Sequence, residues 1–485
     1  MGSLIAILNK KSENTAETAI AMLKALSYKN AEAFGIASRF TVKIEKHVDA
    51  LQNTNINSPI TIGYVFSKIL PQDKPQPTKL ENATLVFEGR TYPHAAREFG
   101  IKQVAEKLQR NHEETAKAFI QKVKGDFALV IAESQRLIAG RDPIGARPFY
   151  YGETAHFAAL ASECKALWKI GVKQAESFPP GHIAFVNKHG FKFKPIKTLS
   201  YAKPKQTTMQ AAVKQLRTLL ERSVEERVWG LKEVAVAFSG GLDSSIIAYL
   251  VEKARTDAHL IHVSLEHQPE TEDAKCVAEE LKLPISIYTY NEESVQSVLP
   301  KALWLIEESD PVKASVGIPI IWTAKRASEN GFKVMLAGQG ADELFGGYKR
   351  YLDDYVHYGE EFVQEKMFND ITQLYKANLE RDSKICNFCN IELRLPFASF
   401  QLANFASSLP LKLKLASPFD QLRKIVLRKA AESIGLLPRV VCKPKKAIQY
   451  ATGVNKALNR LAKSEGLPLN AYLEKTIQAT LKKMM

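Results

Sequence analysis

The apolar run at 234–238 (Val-Ala-Val-Ala-Phe) opens directly into Ser239-Gly240-Gly241-Leu242-Asp243-Ser244-Ser245, and this junction constrains the chain more than any other stretch. Five small apolar or aromatic residues in succession read as a strand buried on both faces, as in a parallel sheet. A helical pattern follows over 244–254. Two adjacent glycines between strand and helix let the backbone turn tightly and present its N–H groups to an anion. The helix N-terminus and the hydroxyls of Ser239, Ser244 and Ser245 add donors, so the junction reads as a phosphate cradle. It is not a Walker A loop, because no Gly-Lys-Ser/Thr closes it.

A second buried strand is read at 334–337, followed by Gly338-Gln339-Gly340-Ala341-Asp342-Glu343-Leu344-Phe345-Gly346-Gly347-Tyr348. In open parallel sheets, ligands sit beyond the carboxyl ends of the strands, so the two loops should face each other. Asp243 and Asp342 would then meet one polyphosphate. Two carboxylates there call for a cation, and Mg²⁺ accepts one or two carboxylates plus phosphate oxygens. The plainer alternative makes Asp342 a helix cap.

Composition narrows the class. At 485 residues with 45% hydrophobic content, the chain can bury large cores, in about three domains or two larger ones. No apolar stretch approaches the ~18 residues of a membrane span, residues 4–8 are too short for a signal-peptide core, and Ala6 stands where a myristoylation motif needs Ser or Thr. The expected location is the cytoplasm. Five cysteines form no disulfide framework, and the Cys386/Cys389 spacing lacks a second pair for zinc. The net charge is +15 (67 basic minus 52 acidic residues), but the lysines are dispersed and no RNA-binding motif accompanies them. Solvated surface and attraction of polyphosphate account for the charge without nucleic acid.

Strands at 234–238, 260–265, 285–290 and 334–337 alternate with helical patterns, which predicts a doubly wound parallel sheet. From about Leu374 the pattern is mostly helical. Upstream, short strands at 4–8, 60–66, 84–87 and 128–132 accompany helices at 16–27 and 104–108, an α+β layered domain. The fold class is α/β with domains at 1–190 and 211–485. The lysine-rich 191–210 serves as the linker.

The glycine-serine loop resembles the PP-loop of ATP pyrophosphatases, which grip the β,γ-pyrophosphate and split ATP between α and β. The Gly338-to-Tyr348 string resembles the asparagine synthetase B family and its relatives, including β-lactam synthetases. The likeness runs almost end to end. Ala139-Gly140-Arg141-Asp142-Pro143-Ile144-Gly145-Ala146-Arg147-Pro148-Phe149-Tyr150-Tyr151 resembles the family's ARDPxGxKPLYY segment. Ser162-Glu163-Cys164-Lys165-Ala166-Leu167 is similar to its SExKAL, and Pro179-Pro180-Gly181-His182 to its PPGH turn. These segments imply a class II glutamine amidotransferase domain, an Ntn-hydrolase fold of αββα layers. That domain uses a cysteine as residue two; Gly2 stands there. The arginine that holds the glutamine carboxylate aligns with Lys29. The oxyanion-hole asparagine aligns with Glu88, whose carboxylate would repel an oxyanion. Three changes of this kind imply an inactive glutaminase.

In the other half, Glu392-Leu393-Arg394-Leu395-Pro396-Phe397 resembles ExRxPFLD, with Ala398-Ser399 replacing Leu-Asp, and Lys445 takes the place of the family's catalytic lysine, flanked by Lys443 and Lys446. The resemblance implies ATP and Mg²⁺, with pyrophosphate held by Ser239, Gly240, Gly241, Asp243, Ser244 and Ser245. It implies adenosine lined by Ala237, Val263 and Gly338, metal on Asp243 and Asp342, and a catalytic set of Lys445, Gln339, Glu392 and Arg394. Gln339 departs from the Glu of asparagine synthetases and the Tyr of β-lactam synthetases. A neutral amide cannot accept the amine's proton, so either the amine differs from the usual case or another group, such as Glu307 or Glu308, takes the proton. The implied reaction is ATP-dependent amide formation through an acyl-adenylate, releasing AMP and pyrophosphate. Aspartate with free ammonia is the leading substrate pair, and a homodimer is left open. The alternatives are another carboxylate and amine, as in β-lactam synthetases, a tRNA-modifying enzyme, and a non-catalytic regulatory protein.

Overall fold

Period-two alternation builds the first of two units, Met1–Thr198. The computed structural model describes residues 2–28, 31–92, 100–419 and 421–484. In the strand Gly2–Asn9, Leu4, Ala6 and Leu8 face one core while Ile5 and Ile7 face another, as the pleat requires. This strand lies inside a seven-stranded antiparallel sheet, ordered Glu176–Ser177, Tyr150–Glu153, Phe157–Ala161, Gly2–Asn9, Ile60–Phe66, Ala33–Ala37, Val42–Glu45. A six-stranded antiparallel sheet runs Gly190–Pro195, His182–Asn187, Leu137–Arg141, Gly125–Ala132, Ala83–Thr91, Thr78–Leu80. One core lies between the sheets. The helices Ala16–Ala25 and Cys164–Trp168 cover the outer face of the first sheet. Ile101–Lys107 and His112–Lys122 cover that of the second. These are the αββα layers.

The linker expected over 191–210 begins later. Residues 191–195 belong to the strand Gly190–Pro195, paired with His182–Asn187, because Phe191 and Phe193 pack against the inter-sheet core. Irregular chain then runs to Thr208, whose side chain caps the helix Met209–Val228 by accepting from Ala211 N.

The second unit, Leu199–Met484, is built on a five-stranded parallel sheet ordered Ile285–Tyr290, Asp257–Leu265, Glu233–Ala237, Val334–Leu336, Glu392–Arg394. The chain starts at the middle strand, builds outward one way, then returns to build the other way. The reversal lies between Glu233–Ala237 and Val334–Leu336, which makes their carboxyl ends the switch point where such sheets bind ligands. The last strand falls where the sequence reads as helical tail; three residues are too few to show a period. A buried ion pair accompanies it, Arg394 Nε to Glu392 Oε1 at 2.7 Å, and Arg394 also donates to the Arg227 carbonyl. Among the described residues no helix is long and apolar enough to cross a membrane.

Lys414 follows the short turn Leu411–Leu413 and is fully buried. Its Nζ has no hydrogen-bond partner among the described residues, and burial pushes its pKa down to about 7. An unfolded lysine titrates near pH ~10.4. Between about pH 7 and about pH 10, the unfolded chain therefore binds a proton that the folded chain lacks, so stability rises with pH across that window. Urea denaturation of Lys414→Met should show higher stability than the native chain at pH 7 and loss of that slope. An unchanged slope would mean that the ammonium finds a partner.

Candidate active site

The turn after Glu233–Ala237 takes its shape from Gly240. Its φ is +63°, and a Cβ there would come within 2.8 Å of Ala274 Cα. Gly241 then caps the helix Leu242–Lys253. Ser239 and Ser244 link across the loop, with Ser244 Oγ 3.2 Å from both Ser239 N and Ser239 Oγ. Ser245, expected as a third hydroxyl donor, is instead fully buried. One helical residue turns the side chain by about 100°, which sends Ser244 toward the loop and Ser245 inward. Ala237 and Gly338 are partly open at the strand ends, whereas Val263 is buried within Asp257–Leu265.

The two loops do meet. The ideal Cβ position of Gly338 lies 3.0 Å from Asp243 Cβ. Lys424 Nζ lies 2.8 Å from Asp243 Oδ2 and 2.6 Å from Asp342 Oδ1, and Lys445 Nζ lies 3.2 Å and 3.0 Å from the same two carboxylates. Burial works to raise the Asp342 pKa, but the Lys424 and Lys445 ammoniums outweigh it and hold the carboxyl well below its usual range. Burial likewise works to lower Lys445, and the two aspartates more than reverse it. Two carboxylates and two ammoniums balance locally.

Sequence reasoning missed Lys424, which carries no motif. It is 1% exposed and starts the helix Ile425–Ser433 from a left-handed φ of +55°, just after Arg423 at +51°. Non-glycine residues held there cost about 1–3 kcal/mol each and mark sites where the surroundings over-determine the backbone. Arg423 donates to the carbonyls of Gly347 (2.9 Å) and Lys445 (3.2 Å), joining three segments of the site. Gly347 has no room for a side chain: a Cβ would fall 1.9 Å from Asp342 Oδ1 and 2.3 Å from Lys424 Cε.

Geometry separates Lys445 from its neighbours. Lys443 pairs with Asp273 at 3.1 Å, Lys446 with Glu270, and Arg439 with Asp273 and Glu280 at 3.5 and 3.3 Å. These pairs, partly open to solvent, tie the strap around Lys445 to the helix Pro269–Leu281.

Glu392 and Arg394, expected in the catalytic set, are 0% and 2% exposed and committed to each other. Their place is support: the strand that carries them lies beside Val334–Leu336, which leads into the Gly338 loop. Glu343 accepts from Tyr348 Oη at 2.5 Å and Asn378 Nδ2 at 2.7 Å, tying that loop to the π-helical turn Tyr375–Leu379. Of the two glutamates considered as proton acceptors, Glu307 is buried against Lys384 Nζ at 2.9 Å, and Glu308 pairs with Lys313 at the surface. The carboxylate that Gln339 reaches is Asp382, which the sequence did not single out. Cys386 is buried in the helix Glu380–Phe388 and Cys389 ends it, its thiol pushed up to about 12 by burial.

In the first unit, Lys29 lies outside the described residues. Gly2 is packed so closely that a Cβ would fall 2.1 Å from the Val65 carbonyl and 2.5 Å from the Tyr64 ring. Glu88 is buried and accepts from Ser162 Oγ at 2.5 Å. Arg90 is clamped on Asp73 through two bonds of 2.5 and 2.7 Å.

Comparison with known proteins agrees with this layout. The glutamine amidotransferase domain model matches residues 67–169. A putative glutamine-hydrolyzing asparagine synthetase of Methanocaldococcus jannaschii is 28% identical over 98% of both chains. An asparagine synthetase of Arabidopsis thaliana is 27% identical over 79% of this chain and 69% of its own. The asparagine synthase model matches residues 215–359 and 356–481, more than half of the sequence. With that model spanning both loops and both site lysines, the chain belongs to the asparagine synthase family.

Proposed function

We propose that the second unit joins a carboxylate to an amine with ATP, through an acyl-adenylate. The observation that carries this reading is the convergence of Asp243, Asp342, Lys424 and Lys445 beside the glycine loop, at the switch point of the sheet. The Gly240–Gly241 backbone, Ser239 and Ser244 hold the pyrophosphate portion, at a helix N-terminus suited to anions. The substrate carboxylate attacks the α-phosphorus and pyrophosphate leaves; the amine then attacks the acyl carbon and AMP leaves. Lys445 counters charge on the α-phosphate in both steps.

The donor set fits Mg²⁺. Two carboxylates from separate loops converge closely enough to share one ammonium, and phosphate oxygens complete the oxygen shell that Mg²⁺ prefers. Bound to Asp243 and Asp342, the ion would neutralise polyphosphate charge. Lys424 and Lys445, which balance the carboxylates here, are then free to pair with phosphate oxygens.

Aspartate and ammonia are the leading substrates; the names of the relatives, glutamine-hydrolyzing asparagine synthetases, support aspartate alone. Ammonia in place of glutamine is supported by the first unit. A cysteine side chain at position 2 would collide with the Val65 carbonyl and Tyr64, and the buried Glu88 carboxylate opposes an oxyanion. A second reading, another acid and amine, is favoured by Gln339. Ser399, which stands where the family segment has Asp, adds nothing to it, because its hydroxyl caps the helix Phe400–Ser408.

Pyrophosphate exchange screened across carboxylic acids tests the reading. Aspartate should support exchange, ammonium should convert the adenylate to amide, and glutamine should yield no glutamate; steady glutamate release would overturn the nitrogen assignment. Lys445→Met should bind ATP nearly normally and form product about a hundredfold to a thousandfold more slowly, with Lys443→Met and Lys446→Met affected much less. Equal effects at all three positions would return Lys445 to the surface. Gly347→Ala, which pushes Asp342 and Lys424 apart, should slow exchange about a hundredfold in a folded protein. Near-normal exchange would show that the pair tolerates displacement.

A further inference from the structure

Attack of ammonia on an acyl-adenylate releases one proton, and the loop residue at hand, Gln339, has no basic group to take it. Asp382 lies behind it in the helix Glu380–Phe388. Arg381 Nε fixes Asp382 Oδ1 at 2.6 Å, while Oδ2 is buried without a hydrogen-bond partner. A buried carboxylate oxygen left unpaired is costly, so it calls for a donor. Gln339, partly open to solvent, reaches this carboxylate from the same loop that carries Gly338 and Asp342.

We propose that Asp382 accepts the proton from the attacking ammonia nitrogen, with Gln339 orienting that nitrogen against Oδ2. The inference rests on the amide-forming reading above. The C–N bond forms as the C–O bond to AMP breaks. The bonding pair leaves on the AMP phosphate oxygen, the nitrogen's proton moves to Oδ2, and solvent receives it when the amide departs. Of the charges on the packed elements, Lys384 is engaged by Glu307, Arg394 by Glu392, Arg326 and Lys325 by Glu329, Lys301 by the Phe388 ring and Lys376 by the Tyr375 ring, while Glu380 is buried on the same helix. Arg381 acts on Asp382 directly. Burial raises the carboxyl pKa, against the lowering effect of Arg381 and Gln339, which improves it as a base.

The test compares Asp382→Asn with the native chain, using L-aspartate, ATP and ammonium chloride. Pyrophosphate exchange should stay within about threefold, since the adenylating half does not use this group. Amide formation should fall about a hundredfold near pH 7, and the deficit should narrow toward pH 9 as hydroxide takes the proton instead. Gln339→Glu placed in Asp382→Asn should restore much of the loss, because a carboxylate then meets the nitrogen directly; a purely structural Asp382 would not be rescued this way. Loss of exchange together with amide formation, a deficit constant with pH, or no rescue would overturn the proposal. If aspartate supports no exchange in the native chain, the substrate reading fails by itself. The carboxyl infrared band of the native minus Asp382→Asn difference spectrum then decides: a shift on adding ammonium chloride sustains the assignment, and no shift ends it.

Discussion

Two carboxylates from loops far apart in sequence are held together beyond the carboxyl ends of the strands by two lysines. Unpaired, Asp243 and Asp342 would repel each other in a partly buried setting. Removing one member of a buried pair leaves an uncompensated charge worth about 3–5 kcal/mol. The surrounding structure serves this contact. Gly347 leaves space for it, Arg423 binds the Gly347 and Lys445 segments together, and the left-handed backbone at Arg423 and Lys424 aims the ammonium inward.

Support extends outward through residues more buried than the aspartates they hold in place. Glu392 and Arg394 stiffen the edge strand beside the Gly338 loop, and Glu343 binds that loop to Asn378 in a π-helical turn. Such turns place one extra residue in a helix and are frequent at functional sites. The first unit keeps its layers, and at the positions of the family's nucleophile and oxyanion-hole segments Tyr64 crowds Gly2 and Ser162 engages Glu88. Substitution at these positions leaves the core intact, since the inward and outward faces of the strands are filled.

How legible the site was depended on sequence distance. The cradle is local, strand to glycines to helix within a dozen residues, and period and turn chemistry are enough to read it. Lys445 could be read only through its place in a family segment, with Lys443 and Lys446 as rivals until their partners Asp273 and Glu270 were visible. Lys424 was not legible: it meets Asp243 across 181 positions and stands among ordinary basic residues. Asp382 was hidden in the same way, in a helix whose charges look like surface until packing buries them. The strand Glu392–Arg394 was too short to carry a period, and the edge strand Gly190–Pro195 was obscured by its lysines, which point away from the core.

The strap around Lys445 divides the labour of the site. Neutralisation of the carboxylates is shared with a lysine locked in the interior, whereas the strap that carries Lys445 is tied outward by pairs from Arg439, Lys443 and Lys446 that are partly open to water. Exposed pairs of this kind are weak and screened by salt. High salt therefore loosens the strap's outer ties, while Arg423 on the Lys445 carbonyl and Lys424 on both aspartates hold the centre.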